Sequence, residues 1–276
     1  MSVAYSAPAR SAAPMIGAIL RAIGWSGLGL IAVAVVLSEF LARAPADLAN
    51  VGPMLAAPSA SFPFGTDFLG RDMLSETLHG LSITVARAVS AMLVAVIAGE
   101  LLGFASARLP RPIGQTLRWA AGIFAAVPAL LLALLLIGLS AREFAGIAAG
   151  LAAAPLAFAR AFDRADATRA SPYAEYARAT GISAATLLRR DLVYEFRDMF
   201  LATAARALAA VTIILSTLSF LGFGATPPHR DLGLMIAAAE SSYLHAWWTA
   251  TFPALGLLLV IFFARLAAGL DEGERP

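Results

Sequence analysis

The stretch Ser82-Ile-Thr-Val-Ala-Arg-Ala-Val-Ser-Ala-Met-Leu-Val-Ala-Val-Ile-Ala-Gly-Glu-Leu-Leu-Gly-Phe-Ala-Ser-Ala107 decides the fold. It is continuously apolar, interrupted by one arginine and one glutamate, and longer than the roughly 20 residues a helix needs to cross the hydrocarbon core. Lipid leaves backbone N–H and C=O groups without partners, so a spanning segment must be a helix or a strand of a closed barrel. The run does not alternate apolar and polar residues, so it reads as a helix. Five further runs repeat the pattern: Ala22–Leu41, Thr116–Leu139, Phe144–Arg160, Phe200–Leu221 and Trp248–Ala268. The fourth span in chain order, Phe144–Arg160, is short and carries Pro155. An all-α, polytopic membrane protein of about six transmembrane helices is expected.

Composition agrees. Of 276 residues, 60% are hydrophobic and 14% charged, and mean hydropathy is +0.79. Soluble domains average about 45–50% apolar and about 25% charged residues. Cysteine is absent, which excludes disulfides and thiolate metal sites. A pI near 9.4 raises nucleic-acid binding, but the arginines lie between apolar spans rather than on one polar face, so no nucleic-acid partner is expected. Arg10 and Arg21 before an apolar run, with Ala42-Arg43-Ala44 behind it, mimic a signal peptide. The run is too long for a signal core and reads as an uncleaved first helix.

Arginine also orients the chain. With the N-terminus in the cytoplasm, the arginines from Arg10 and Arg21 through Arg108–Arg118 and Arg160–Arg197 to Arg275 face inside. Only Arg43, Arg71, Arg142 and Arg230 then lie outside, with Arg87 just within the second helix. Trp247 and Trp248 fall at the outer interface. Residues 1–21 form a cytoplasmic N-terminal segment and residues 22–276 the transmembrane domain. Within that domain an external segment spans 44–80, largely irregular because of its prolines; a cytoplasmic segment spans 161–199; and a second external segment spans 222–247. No internal repeat is evident.

The inside segment holds the densest local pattern, from Ser171 to Arg190. Tyr173, Tyr176, Ala177, Ala184, Leu187 and Leu188 recur at helical spacing. Ser171 suits an N-cap, Pro172 the first helical position and Glu175 the first turn. Gly181 marks a turn between two short helices. Such an amphipathic element either docks in a groove of another protein or packs on its own bundle.

In this region Glu175-x-Ala177-x-x-x-Gly181 resembles the Glu-Ala-Ala-x-x-x-Gly loop of ABC importer permeases. Phe64-Gly-Thr-Asp-Phe-Leu-Gly-Arg-Asp72 is similar to the signature before the second span in the oligopeptide, dipeptide and nickel permeases. Ser219-Phe-Leu-Gly-Phe-Gly-Ala-Thr-Pro-Pro228 resembles a third motif of that family. The likeness spans roughly residues 60 to 268. It implies a type I ABC importer permease fold, forming half of a pathway for peptides, nickel or metal chelates, or a related small solute. It implies a second homologous permease, two cytoplasmic ATPase subunits or domains and an external solute-binding protein as partners, within a lipid bilayer in the bacterial inner membrane. ATP and Mg would be held by the ATPase partners, with no cofactor or catalytic residue in this chain. Glu175, Tyr176, Ala177 and Gly181 become the ATPase-coupling residues. Two departures stand out: Tyr176 replaces the first alanine of the motif, and Val193-Tyr194 stands where the family has Leu-Pro.

Other residues carry separate expectations. Glu100 sits inside the second span between Gly99 and Gly103; Gly-x-x-x-Gly lets another helix approach, and a membrane carboxyl usually faces a cavity or a partner. Arg206 in the fifth span is the candidate partner, and the two are candidates for the translocation pathway or for a structural pair. In the 64–72 motif, Gly65 and Gly70 permit tight turns, while Asp67 and Asp72 can bond backbone donors or Arg71. That fixes an external loop or forms a substrate contact. His79, His229 and His245 match no compact metal-ligand spacing, so no metal site is expected. The rival function is a stand-alone ion-coupled secondary transporter using Glu100 as a proton carrier.

Overall fold

The structure, a computed structural model, describes residues 13–45, 48–139, 144–182, 184–225, 229–242 and 244–269. Among these the chain is helical, with one isolated antiparallel bridge between Thr66 and Asp72. The helices are α1 (Ala13–Val36), α2 (Ser38–Leu41), α3 (Met73–Val96), a π segment (Ile97–Leu101), α4 (Leu102–Ser106), α5 (Arg111–Ala126), α6 (Ala129–Leu139), α7 (Ala145–Arg169), α8 (Pro172–Ala179), α9 (Ala184–Phe220), α10 (Leu232–Ala238) and α11 (Trp248–Ala268). Five stretches of the described residues are long and apolar enough to cross a membrane. A sixth span is obtained if α5 and α6 are taken together. The expected count of about six therefore stands, although the boundaries differ in physically interpretable ways.

The third predicted span, Thr116–Leu139, is not one straight helix: α5 and α6 meet at 94°. Pro128 supplies no N–H, and its ring disfavours helical backbone at the residue before it. Val127 is accordingly extended, with ψ 130°. Pro155 has no such effect. The fourth span, predicted short as Phe144–Arg160, is the 25-residue α7 with Pro155 inside it. Packing on both sides holds α7 through the proline. Its interior face is alanine-rich, with Ala148, Ala149, Ala152, Ala154, Ala157 and Ala161 all buried. Small side chains let α3 and α9 close on it. Ala88 and Ala91 of α3, Ala133 and Ile137 of α6, and Val211, Ile214, Leu215 and Leu218 of α9 complete this core.

Other boundaries also move. The first helix already includes Ala13, inside the segment 1–21 expected to precede it, because Arg21 can extend along the helix surface without ending it. The 44–80 segment is irregular only to Asp72, where an N-cap starts α3 early. The 161–199 segment is not a loop with two short helices. α7 runs on to Arg169, α8 stands alone, and the second expected short helix is the start of α9, continuous with the fifth span. Arg10, Arg142 and Arg275 of the orientation argument, and Pro227 and Pro228 of the 219–228 motif, lie outside the described residues.

The bundle has two distinct ends. One carries the 42–72 loop, α10 and the first turns of α3 and α11. There Phe64 stacks on Phe252, with ring centroids 3.9 Å apart, and Met73, Leu232, Met235, Ala246 and Trp248 form a small core. Trp248 does not sit free at an interface: it is 5% exposed, and its Nε1–H donates to the Thr66 carbonyl at 3.0 Å. Trp247 is the exposed member of the pair. The opposite end carries α8, the C-terminal turns of α7 and the α4–α5 turn. Arg169 binds those pieces together by donating to the carbonyls of Ala107 (3.1 Å) and Leu109 (3.4 Å).

Candidate functional site

At the α8 end, the chain leaves α7 through a two-residue turn. The Ser171 hydroxyl donates to the Thr168 carbonyl at 2.7 Å and accepts from the Ala174 N–H at 3.3 Å, so it caps α8 with Pro172 in the first turn. Ala174, which the helical pattern had not singled out, is buried at 3% exposure, whereas Tyr176 is 68% exposed. The predicted apolar face thus points away from the bundle at Tyr176. The other members of that face, Tyr173, Ala177, Ala184, Leu187 and Leu188, lie outside the residues whose side chains are described. Glu175 is exposed beside Tyr176. After Thr180, Gly181 takes φ +75°, and a Cβ built there meets nothing within 4 Å. The glycine is therefore required by backbone conformation, and the space beside it is open to a second molecule.

Midway along the bundle, Glu100 lies in the π segment and is 1% exposed. A π turn inserts one extra residue into the helix and re-aims the side chains around it. Thr203 and Arg206, one turn apart on α9, lie near the Glu100 carboxyl, whose oxygens are both buried. Arg206, the partner suggested by the sequence, is thus on the neighbouring α9 together with Thr203, with no hydrogen bond to either carboxyl oxygen among the described residues. The flanking glycines face another helix, α7: a Cβ on Gly99 would fall 2.6 Å from the Ala157 Cβ, and one on Gly103 2.4 Å from the Phe158 carbonyl oxygen. The π segment and the Pro155 region of α7 therefore cross at one level, where both helices depart from the regular hydrogen-bond ladder.

The 64–72 motif folds its own loop. Gly65 and Gly70 have φ +73° and +67°, and a Cβ on Gly70 would lie 2.4 Å from the Gly52 carbonyl oxygen. Asp67 Oδ1 accepts from the N–H groups of Leu69 (2.8 Å) and Arg71 (2.9 Å). Asp72 Oδ2 accepts from the Ser75 N–H (3.1 Å) and hydroxyl (2.6 Å), which caps α3. Thr66 accepts from the Ala56 N–H and donates to the Pro53 carbonyl. Thr66, Asp67 and Asp72 each hold a turn or a helix start, as a loop-fixing role requires, while Arg71 reaches Glu76 on α3.

Two charged clusters at the same end escaped the sequence reading. Arg230 lies 3.2 Å from Glu76 and 3.6 Å from Asp67, and Arg71 lies 3.8 Å from Glu76. Deeper, the Arg87 guanidinium pairs with Asp231, which also accepts from the Ser219 hydroxyl. Asp231 and Ser219 are 4% and 0% exposed. A signal existed: an arginine within an apolar run calls for a counter-ion. Arg87 was counted only for orientation, and Asp231 is far from it in sequence. Among the described residues no group of three His, Asp or Glu side chains is arranged to hold a metal; His229 and His245 are exposed, and His79 Nδ1 lies 2.7 Å from the Ser75 carbonyl on its own helix.

The fold and these sites define a class: a multi-span helical membrane subunit with an interlocked loop at one end and a capped helix held out at the other. Residues 74–271 match the binding-protein-dependent transport system inner membrane component family, and the chain belongs to it. Similar relatives include a di/tripeptide transport system permease of Pseudomonas aeruginosa, 29% identical over 80% of this chain and 74% of the relative. A probable D,D-dipeptide transport system permease of Escherichia coli is 25% identical over 83% of this chain and 78% of the relative. A glutathione transport system permease of Pectobacterium atrosepticum is 28% identical over 79% of this chain and 74% of the relative. The chain is thus a transport subunit of the inner membrane.

Proposed function

We propose that this chain forms half of the translocation pathway of an ATP-driven importer of short peptides or peptide-like solutes, and that α8 transmits the ATPase stroke to the bundle. The observation that carries the coupling role is the presentation of α8. Glu175 and Tyr176 face outward, Ala174 faces inward, and Gly181 turns the chain beside open space. Such a helix suits a groove in a partner. Because α9 begins just after the turn and continues into the fifth span, a push on α8 reaches the membrane through one continuous helix. ATP and Mg belong to two cytoplasmic ATPase subunits; a second homologous permease and a solute-binding protein complete the importer. The relatives named for di- and tripeptides, D,D-dipeptides and glutathione favour short peptides over nickel or metal chelates as cargo.

The α8 end is cytoplasmic in this reading, with both termini on the same side, because the arginine excess lies there. With no native cysteine, single cysteines at Ser59 and Thr180 test it. An impermeant thiol reagent applied to intact cells should label the first and spare the second; the reverse would overturn the orientation. The function itself is tested by reconstituting the chain with its partner permease, ATPase subunits and binding protein. Labelled dipeptide should enter only with ATP. Uptake driven by a proton gradient without ATPase subunits would refute the importer reading and support an ion-coupled carrier using Glu100.

A further inference from the structure

We propose that Arg87, Asp231 and Ser219 clamp α10 onto α3, so that the α10 segment travels with the bundle as one rigid body during transport and does not lift away as a lid. The inference rests on the transport reading above.

A short helix over the end of a bundle, on long connections, would ordinarily be the natural candidate for a moving cover. Here its contacts argue otherwise. Adjacent residues Arg230 and Asp231 grip α3 and its approach at separate points: Arg230 at Glu76 and Asp67, and Asp231 at Arg87. Asp231 is fully committed, since Oδ1 accepts from the Leu234 N–H at 2.9 Å and caps α10, while Oδ2 takes Arg87 and Ser219. Ser219 is the last turn of α9, so the clamp joins three helices. Between the two charged grips the Thr84 hydroxyl donates to the Gly80 carbonyl and accepts from the Leu232 N–H at 3.0 Å. The packing is also close: a Cβ on Gly80 would lie 2.8 Å from the side-chain sulfur of Met235, and one on Gly233 2.4 Å from the Ser216 backbone carbonyl oxygen of α9. Leu232 and Met235 are buried in this seam.

Lifting α10 would strip an arginine in an apolar span of its counter-ion, leave a buried carboxylate without its cation and expose Leu232 together. Each is costly where water is scarce, and of the contacts described for the Arg87 guanidinium only the Ser219 hydroxyl, a neutral acceptor at 3.3 Å, would remain. Movement of the whole α3–α9–α10 unit against another subunit disturbs none of these contacts.

The absence of cysteine permits a direct test. Gly80→Cys with Met235→Cys places one thiol on each side of the seam, at positions where a Cβ on Gly80 would lie 2.8 Å from Met235 Sδ. In the reconstituted complex, oxidation should form an intramolecular disulfide in most molecules, and ATP-driven dipeptide uptake should remain within about twofold of the same sample after reduction. If oxidation abolishes uptake and reduction restores it, α10 opens as a lid and the proposal is wrong. If no disulfide forms although both thiols are titratable, the seam is not closed and the proposal is equally wrong. Uptake that needs no ATPase in the reduced sample would instead defeat the importer reading, which the cross-link comparison leaves distinguishable.

Discussion

The Arg87–Asp231 pair gives the most quantitative prediction. Asp231 is 4% exposed as a residue, and the Arg87 side chain is 24% exposed. Removing one member of a buried ion pair typically costs about 3–5 kcal/mol, because the survivor keeps its desolvation penalty. Two features put this site at the lower end. Arg87 keeps some access to solvent, and Asp231 retains the Ser219 hydroxyl and the Leu234 N–H as donors when Arg87 is lost. Arg87→Gln and Asp231→Asn should therefore each destabilise by about 3 kcal/mol, roughly two orders of magnitude in the folded-to-unfolded ratio. The double variant carries no buried charge here, and asparagine still caps α10. Its cost should also be about 3 kcal/mol or less, a coupling near the top of the range for contacting residues. Reversible unfolding in mixed detergent micelles, followed by tryptophan fluorescence, measures all four corners of the cycle. Additive effects, or single variants within about 0.5 kcal/mol of the parent, would refute the pairing as a stabilising contact.

Three further outcomes are expected. Gly181→Val places a Cβ with nothing described within 4 Å, but its φ of +75° costs a β-branched residue about 1–2 kcal/mol locally. The bundle should fold while uptake and substrate-stimulated ATPase activity fall at least tenfold, and wild-type values for both would remove α8 from the coupling role. Glu100→Gln should alter uptake more than complex assembly, since the amide keeps the shape of the buried side chain but removes its ionisable group; unchanged uptake across pH would leave the carboxyl without a transport role. Gly103→Ala forces a Cβ to within 2.4 Å of the Phe158 carbonyl oxygen and should destabilise the α4–α7 contact by about 1–3 kcal/mol, read as a lower unfolding midpoint; no change would mean that α7 can yield there.

What the sequence by itself determined follows from local rules and from solvent. Apolar runs of membrane length specify helices whatever surrounds them, so the class and the approximate number of spans were legible. Capping was legible as well: Ser171 and Pro172 start α8, and Gly181 ends it with positive φ, because each acts within a turn of its own position. Glu100 and Arg206 could be matched as the acid and base of two spans, and the Gly-x-x-x-Gly spacing announced a close helix contact. Tertiary structure decided what depends on a neighbour. Pro128 breaks its span while Pro155 does not, because α7 is enclosed by α3 and α9 and a helix so held tolerates a missing hydrogen bond. The partner of Gly99 and Gly103 proved to be α7, not the helix that carries Arg206. Ala174 faces inward and Tyr176 outward on α8, because a short helix takes its orientation from the turn before it. Arg87 and Asp231 are separated by 144 residues, and no periodicity links them. Only the return of α10 across the end of α3 brings the arginine its counter-ion, and the cost of leaving that charge alone in an apolar surrounding is what fixes α10 in place.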